Sequence, residues 1–186
     1  TIKTTNIEPI ADNGTVTLGS SGDTFTMPSG ATLDLSNATQ TGVGGVNTPA
    51  FQALATSVQT ISNATQTTVN FDTTVFDTDS AFNTSTNSFV VPSGKGGKYY
   101  FYACIRRNSW TSSRCYMSFQ KNGSDIAYVE NGNDIFQTLP AFITLDLSAS
   151  DSISLQYYHD NGAPQNLNAG SLTEQKNFFG GYKLVE

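Results

Sequence analysis

Few residues of this sequence have the types and spacing that catalysis needs. His159 is the only histidine and precedes Asp160, and such a pair can serve as a general base with its orienting carboxylate. No recognised motif places a serine or cysteine nucleophile beside it, and no convincing pair of carboxylates points to glycoside hydrolysis. Because a histidine in a hairpin loop is more often solvated, we predict a surface position for His159 and expect no enzymatic activity.

A second group with chemical potential is the acidic run FDTTVFDTDS, which offers Asp72, Asp77 and Asp79. Carboxylate oxygens on one loop are the ligands that calcium prefers. The run lacks the D-x-D-x-D-G order and the distal glutamate of a calcium-binding loop. We therefore interpret it as a solvated loop and predict no metal and no cofactor, with calcium binding at this loop as the open alternative.

Arginines and the single tryptophan cluster around one predicted hairpin tip, at Arg106, Arg107, Trp110 and Arg114. Tryptophan beside arginine is a common recognition pair, since it can stack on a sugar ring or bind an anionic group. Packing of the arginine stems on Trp110 would explain the same residues without a partner. The cluster is nevertheless our first candidate for a contact patch.

The chain has two cysteines, Cys104 and Cys115, with ten residues between them. Disulfide scaffolds normally carry more cysteines, and a structural zinc site would need several histidine partners for these two thiols. We interpret both as small buried residues, and the sequence leaves open whether they pair.

The composition of the 186-residue chain indicates an all-β protein. Charged residues make up 13% of it, against roughly 25% in typical soluble domains. The 12 Phe, the 8 Tyr and many β-branched residues favour strands, while Asn and Gly supply turns. A net charge of −6 with scattered Lys and Arg argues against nucleic-acid binding. No apolar run approaches the length of a membrane span, so we expect no membrane insertion.

Residues 1–46 differ in texture from the rest of the chain. Their apolar residues form alternating pairs that recur every eight or nine positions, at Val16 and Leu18, Phe25 and Met27, and Leu33 and Leu35. This pattern predicts very short strands separated by tight turns. Two buried side chains per strand, worth roughly 1.5–3 kcal/mol each, do not offset ordering costs of about 1–2 kcal/mol per residue. We therefore expect these strands to form through assembly, and we interpret the first ten or so residues as a flexible arm.

From residue 47 onwards the sequence has the pattern of seven or more short strands. PAFQALATSV fits a strand or a short helix. The later predicted strands are Ser88–Val91, Tyr99–Arg106, Arg114–Lys121, Ile126–Val129, Phe142–Leu147, Ile153–Tyr158 and Asn177–Val185. Turn signals such as PSGKGG and KNGSD separate them. The spacing predicts a β-sandwich or jelly roll.

Four short motifs succeed one another in this second part of the chain. They are Pro92, Gly97, Tyr99 and Phe101 around the glycine turn, the hairpin Lys121, Asn122 and Gly123, the strand and turn Leu145, Leu147 and Asp151, and the final Phe179, Gly181, Tyr182 and Leu184. In this order they resemble the globular head of the complement first component's q subunit, a tumour-necrosis-factor-like jelly roll. The resemblance covers residues 47–186 and implies a ten-stranded type of jelly-roll sandwich.

The beginning of the chain, residues 1–51 with the opening TIKTTNIEPIADNGTVTLGSSGDTFTMPSG, has a resemblance of its own. It is similar to the opening of structural proteins encoded by bacteriophages, which join such a segment to this kind of head. No collagen-like repeat precedes the head here, in contrast to the animal family. The resemblance implies a virion component, either a fibre or a capsid decoration.

Heads of this family assemble as trimers around a threefold axis, and the resemblance implies the same for this chain. Along the strand that begins at Tyr99, alternate side chains point to opposite faces, so Tyr100 and Tyr102 would face away from the core. Exposed aromatic side chains of this kind form interfaces. The predicted trimer interface comprises Tyr100, Tyr102, Phe178, Tyr182 and Leu184. The alternative is that a loop of the same chain covers this face.

Together these patterns predict a non-enzymatic virion structural protein. Residues 1–46 would attach it to other virion proteins, and the head would project from the virion surface after assembly in the host cytoplasm. The patch at Arg106, Arg107, Trp110 and Arg114 would contact the host, for example a cell-surface glycan. The alternative is a secreted lectin-like module that binds a receptor or a glycan.

Overall fold

The structure is a computed structural model and describes residues 15–34, 47–107, 114–131 and 138–184. By its internal contacts the chain divides into two compact units, Thr1–Val43 and Gly44–Glu186. The described residues form thirteen β-strands, all in the second unit. A helix long and apolar enough to cross a membrane is absent from the described ranges.

The strands are short, and most of them lie at the predicted positions. They are β1 (Ala50–Leu54), β2 (Gln59–Ile61), β3 (Thr67–Thr68), β4 (Thr73–Asp77), β5 (Phe82–Asn83), β6 (Ser88–Val90), β7 (Gly97–Arg106), β8 (Cys115–Lys121), β9 (Ser124–Asn131), β10 (Thr138–Leu147), β11 (Ser152–His159), β12 (Gln165–Leu167) and β13 (Phe178–Lys183). PAFQALATSV therefore forms a strand, and its alternative interpretation as a helix is wrong.

Two large antiparallel sheets form a sandwich. One has five strands in the order β10–β7–β13–β1–β4, and the other has six, β5–β6–β11–β8–β9 with β3 beside β11. A small sheet pairs β12 with β2. The predicted all-β sandwich is confirmed. The interpretation of the acidic run as a loop is wrong for Thr73–Asp77, which form the five-residue edge strand β4, because they pair with β1. The other additional strands, β2, β3, β5 and β12, have two or three residues each.

The core between the two sheets is built around phenylalanine rings. Phe51 of β1 stacks on Phe82 and Phe89 of the other sheet, with ring centroids 5.0 and 5.1 Å apart. Phe179 of β13 meets Phe51 edge-on at 5.0 Å. All four rings are buried, and each contributes roughly 1.5–3 kcal/mol through removal of apolar surface from water. The sheets are therefore held together by aromatic packing.

β7 shows the alternation that its sequence predicts. Tyr99, Phe101 and Ile105 are fully buried, whereas Tyr100 and Tyr102 are only half-buried. Successive side chains of a strand point to opposite faces, so one row of rings enters the core and the other row covers the outside of the sheet.

The glycine-rich turn before β7 has a backbone conformation that favours glycine. Gly94 has a φ of 73° and Gly97 a φ of 137°. Glycine adopts these values without the steric cost that a Cβ would add. The hydroxyl of Tyr99 donates a 2.5 Å hydrogen bond back to the carbonyl oxygen of Lys95, which ties the turn to the strand that it introduces.

The predicted surface position of His159 is wrong. His159 is the last residue of β11 and is 1% exposed. Its Nε2 lies 3.1 Å from the carbonyl oxygen of Ile61. β11 extends one residue beyond the predicted strand, and the pleat that buries Tyr157 also buries the side chain two positions later.

The described part of the first unit, residues 15–34, contains turns and no strand. Asp23 closes one turn, since its N–H donates to the carbonyl oxygen of Ser20 at 3.0 Å and its carboxylate accepts the Ser20 N–H at 2.6 Å. The apolar side chains are between 38% and 65% exposed, at Val16, Leu18, Phe25, Met27 and Leu33. The strands expected through assembly stay a prediction, and Leu35 lies outside the described residues.

Candidate interface on the five-stranded sheet

Two neighbouring strands, β7 and β13, bring the predicted interface aromatics together on the outer face of the five-stranded sheet. Tyr100 lies opposite Tyr182 in the antiparallel register, and Tyr102 lies opposite Gly180. Ring centroids are 5.6 Å apart for Tyr100 and Tyr182, and 6.2 Å apart for Tyr102 and Phe178. Tyr100 and Tyr102 are separated by 6.4 Å. The four rings therefore form one continuous cluster within a single chain.

Gly180 makes room for the ring of Tyr102. A Cβ at this position would overlap the ring and its hydroxyl. The Tyr102 hydroxyl donates a 3.0 Å hydrogen bond to Oε1 of Gln52, and Nε2 of Gln52 donates to Oε1 of Gln175. Burial, with a smaller contribution from Tyr182, raises the pKa of Tyr102, so the hydroxyl keeps the proton that it donates. These contacts hold the ring in one orientation.

The same face continues towards both edges of the sheet. Phe142 of β10 is the register partner of Tyr102 and is 72% exposed. Phe76 of β4 is the register partner of Gln52 and is 44% exposed. We call the whole set the aromatic face, which comprises Phe76, Tyr100, Tyr102, Phe142, Phe178 and Tyr182. Such a surface can bind another apolar surface.

The sequence prediction of this face missed Phe142 and Phe76. Which strand lies beside which depends on the fold, and neither residue is near β7 or β13 along the chain. A signal for Phe142 was present in the sequence. Side chains of a strand alternate between its two faces, and Phe142 lies an odd number of positions before the buried Leu147, so it points to the outer face. Leu184, which the prediction included, is half-buried just after β13, and its N–H donates to the carbonyl oxygen of Lys98 at 2.8 Å.

The two cysteines occupy different environments, and neither forms a disulfide bond. Cys115 is 1% exposed, whereas Cys104 is half-buried on the same side as Phe178, its register partner. The expectation of a small buried residue thus holds for Cys115 and only in part for Cys104. Burial raises the pKa of both thiols, and Arg106 opposes this rise at Cys104.

The predicted contact patch does not form one exposed surface. Arg107 is 5% exposed, and its backbone pairs with that of Leu167 in an isolated antiparallel β-bridge. Its inclusion in an exposed patch is therefore wrong. Its side chain continues the inward phase of β7 by one residue. Arg106 is half-buried at the end of β7, and Arg114 is exposed immediately before β8 in the other sheet. Trp110 lies outside the described residues.

The carboxylates of the acidic run hold turns together. Oδ1 of Asp72 accepts the N–H and the hydroxyl of Thr56 at 2.8 and 2.7 Å. Asp77 accepts two backbone N–H groups at 2.9 Å each, and Asp79 lies 3.8 Å from Nζ of Lys95. Across the part of the chain that the structure describes, His, Cys, Asp and Glu form no group of three or more that could hold a metal ion.

Solved structures of distant proteins share this architecture. The chain is similar to the globular domain of zebrafish complement 1qA (15% identity, 74% of this chain and 98% of that chain, TM-score 0.52). It is also similar to murine APRIL (15% identity, 73% of this chain and 98% of that chain, TM-score 0.53). A third similar structure is vertex protein P5 of PRD1 (16% identity, 75% of this chain and 99% of that chain, TM-score 0.57). At such identities these likenesses show the fold alone, and they confirm the predicted jelly roll.

At the level of sequence, no curated protein matches this chain. The family model described as "C1q domain" matches residues 50–184, which run from the first residue of β1 to the residue just after β13. The match includes all thirteen strands and every member of the aromatic face. The resemblance inferred from the four sequence motifs is therefore confirmed, and the chain belongs to the C1q domain family.

Proposed function

We propose that this protein is a non-enzymatic virion structural protein that assembles as a homotrimer, with the five-stranded sheets of three heads packed against one another. The observation that carries the proposal is the aromatic face. Aromatic side chains exposed as a contiguous set on a soluble domain mark interfaces, and tyrosine and phenylalanine are enriched in the buried centre of such contacts. A trimer would remove these rings from water without any change in the fold of the head.

The alternative, that a loop of the same chain covers this face, agrees less well with the exposures. Phe142 is 72% exposed and Phe76 is 44% exposed to solvent, at opposite margins of the sheet. The central rings are ordered by contacts with one another and with Gln52, which leaves their outer edges available. Ordered rings lose little side-chain entropy on binding, and this favours association.

Attachment of the trimer to a particle would use residues 1–46. The apolar pairs in residues 15–34 are exposed in the single chain, which supports contacts with neighbouring molecules. The likeness in fold to vertex protein P5 of PRD1 supports a place at the surface of a virion. The proposal covers a fibre and a capsid decoration alike, with other virion structural proteins as partners and the head facing outward.

Light scattering on the purified protein tests the proposal. The full chain should have three times its monomer mass of 19.9 kDa. A chain that begins at residue 47 should likewise have three times its own, smaller monomer mass. A trimer of both would assign the contact to the head. A monomer only after shortening would move trimer formation to residues 1–46, and a monomer in both cases would refute the proposed trimer.

A further inference from the structure

The outer face of the six-stranded sheet carries a second cluster of rings, from three adjacent strands. Tyr116 of β8 and Tyr158 of β11 are register partners, and their rings stack with centroids 4.8 Å apart and an interplanar angle of 13°. Tyr128 of β9 meets Tyr116 edge-on at 5.5 Å and is 58% exposed. The other side of the sandwich carries the aromatic face, so the proposed trimer leaves these three tyrosines accessible.

Hydrogen bonds fix the most exposed ring of this cluster. The Tyr128 hydroxyl donates to Oδ2 of Asp125 at 2.9 Å. Asp125 also accepts the hydroxyl of Ser118 at 2.8 Å and Nε2 of Gln66 at 3.0 Å. Its carboxylate is therefore locked by groups from three segments of the chain. A ring held in this way is preorganised for binding, because little rotational freedom remains to be lost.

The charges at the cluster nearly cancel. The guanidinium of Arg114 lies 5.2 Å from the ring centroid of Tyr116 and 5.9 Å from that of Tyr158. Its Nε is 2.6 Å from Oε1 of Glu130, which neutralises it. We call this set the tyrosine face, which comprises Arg114, Tyr116, Asp125, Tyr128, Glu130 and Tyr158. Its formal charge is −1, on a chain whose net charge is −6.

Uncharged polar groups lie beneath the rings. Gln156 of β11 is the register partner of Ser118 of β8. Its Nε2 donates to Oγ1 of Thr68 at 2.9 Å and to Oε1 of Gln120 at 3.0 Å. Ser118 and Gln156 are buried, so these bonds order the sheet beneath the rings. The polar groups that reach solvent beside the rings are the paired side chains of Arg114 and Glu130 and the hydroxyl of the 58% exposed Tyr128, and the surface offers no concentration of positive charge.

We infer that the tyrosine face binds neutral carbohydrate. A pyranose ring has an apolar C–H face that packs on tyrosine and a rim of hydroxyls that both donate and accept, which suits the exposed guanidinium of Arg114 and the exposed carboxylate of Glu130 beside the rings. Sulfated, phosphorylated or sialylated glycans are disfavoured by like charge, because the tyrosine face has a formal charge of −1 and the whole chain one of −6. A protein partner would favour a larger and less polar patch, as the aromatic face provides.

This inference deepens the proposed function and rests on it, because a glycan-binding face serves attachment only on a head that projects outward. It replaces most of the contact patch predicted from the sequence. Of the four residues proposed there, only Arg114 belongs to the tyrosine face, where it packs on two rings and pairs with Glu130. The trimer contact and the glycan contact lie on different sheets, so they can be tested separately.

The test is a binding screen of the full chain against an immobilised panel of glucose, mannose, galactose and N-acetylglucosamine hexasaccharides, with hyaluronan as the anionic probe. We expect binding to at least one neutral member and none to hyaluronan. Tyr128→Ala should weaken that binding at least about tenfold, the equivalent of 1.4 kcal/mol. Tyr128→Phe keeps the ring, loses the hydrogen bond to Asp125 and should weaken it less. Leu172→Ser, at a 62% exposed residue of the loop between β12 and β13 that belongs to neither face, is the control and should leave binding unchanged.

Each result decides for or against the inference. No retention of any neutral hexasaccharide, retention of hyaluronan alone, or equal retention by Tyr128→Ala would overturn it. Thermal unfolding of every variant confirms that a loss of binding does not reflect loss of the fold. Light scattering on the same samples reports the trimer independently: a trimer without glycan binding refutes this inference alone, and a glycan-binding monomer refutes the proposed trimer alone.

Discussion

Asn122 donates a 2.8 Å hydrogen bond from Nδ2 to Oδ1 of Asp151 and so joins the β8–β9 hairpin to the β10–β11 turn. Nζ of Lys121 lies 2.8 Å from Oδ2 of Asp151, and the N–H of Ser148 donates to the same oxygen at 2.8 Å. The contacts of Lys121 and Asn122 hold the pKa of Asp151 at about 2, below the ordinary 3.8. Two of the motifs that identify the family are thus one structural unit.

This unit predicts how the stability of the head depends on pH. A carboxylate whose pKa is lower in the folded state stabilises that state above its unfolded pKa, and the contribution is lost as the pH falls through the folded value. Asp151 should therefore stabilise the head fully above about pH 4 and lose this effect between pH 3.8 and 2. Asp151→Asn should lower the unfolding temperature at pH 7 and flatten its decline over that acid range.

The matched control is Asp146→Asn, which changes an exposed carboxylate on the neighbouring strand β10. It should leave the acid decline close to that of the unchanged protein. Calorimetry between pH 7 and 2 measures both variants. An Asp151→Asn curve parallel to the unchanged protein throughout would show that these contacts contribute nothing measurable.

Gly180 and Gly181 allow the aromatic face and the core to be perturbed by the same chemical change. In Gly180→Ala the new Cβ overlaps the Tyr102 ring, a movable side chain, so the ring must turn away and lose its hydrogen bond to Gln52. In Gly181→Ala the new Cβ meets the Phe101 ring and comes within 3.0 Å of a backbone oxygen, that of Tyr100. We expect Gly181→Ala to lower the free energy of unfolding by roughly 1–3 kcal/mol. This loss should be larger than that caused by Gly180→Ala.

The oligomeric state should respond in the opposite order. Gly180→Ala reshapes the outer face and should reduce the trimer fraction at a given concentration while the monomeric head stays folded. Urea unfolding and light scattering on both variants separate the two effects. A trimer unchanged by Gly180→Ala but lost in a folded Gly181→Ala would contradict the assignment of the interface to the outer side of β13.

What could be predicted from the sequence is what depends on local periodicity. The alternation of Tyr99 and Tyr100 along β7 is a property of one strand, so the sequence alone predicts a buried row and an outer row of rings. Turn signals such as Asn122-Gly123 depend on a few adjacent residues and place the hairpin between β8 and β9 correctly. Burial of His159 was missed because it depends on where β11 ends, and strand ends are less sharply encoded.

What could not be predicted depends on which strands become neighbours. Tyr116, Tyr128 and Tyr158 come from three strands, and their contact exists only in the register that the fold imposes. The exposed Phe142 joins the aromatic face for the same reason, because β10 pairs with β7 across a separation of about forty residues. Single-strand patterns therefore found four of the six residues of the aromatic face but only Arg114 of the tyrosine face, and the sheet order supplied the rest.

Phe142 offers the sharpest test of the proposed interface. It is 72% exposed in the single chain, so Phe142→Glu should leave the fold of the head intact. In a trimer the substitution would place charged carboxylates in an apolar contact, and such mismatches cost several kcal/mol. We expect the light-scattering mass to fall to that of the monomer. The matched control is Ile126→Glu, which makes a similar change at a 40% exposed residue of the other sheet and should remain trimeric.

Cys104 reports whether the aromatic face is covered in solution. It is half-buried beside Phe178, and burial raises its pKa above the ordinary 9.0 although Arg106 opposes the shift. The thiolate is the reactive form, so a maleimide should label the folded trimer slowly at pH 7 and faster as the pH rises. Phe142→Glu, by separating the heads, should speed the labelling several-fold at every pH.

The second thiol provides the control for this measurement. Cys104→Ser leaves only Cys115, which is 1% exposed and should stay unlabelled until the head unfolds. Mass spectrometry after a short exposure counts the labels per chain. Equal labelling rates in the unchanged protein and in Phe142→Glu would mean that Cys104 is as accessible in the native assembly as in the single head. The five-stranded sheet could not then be the surface that the subunits share.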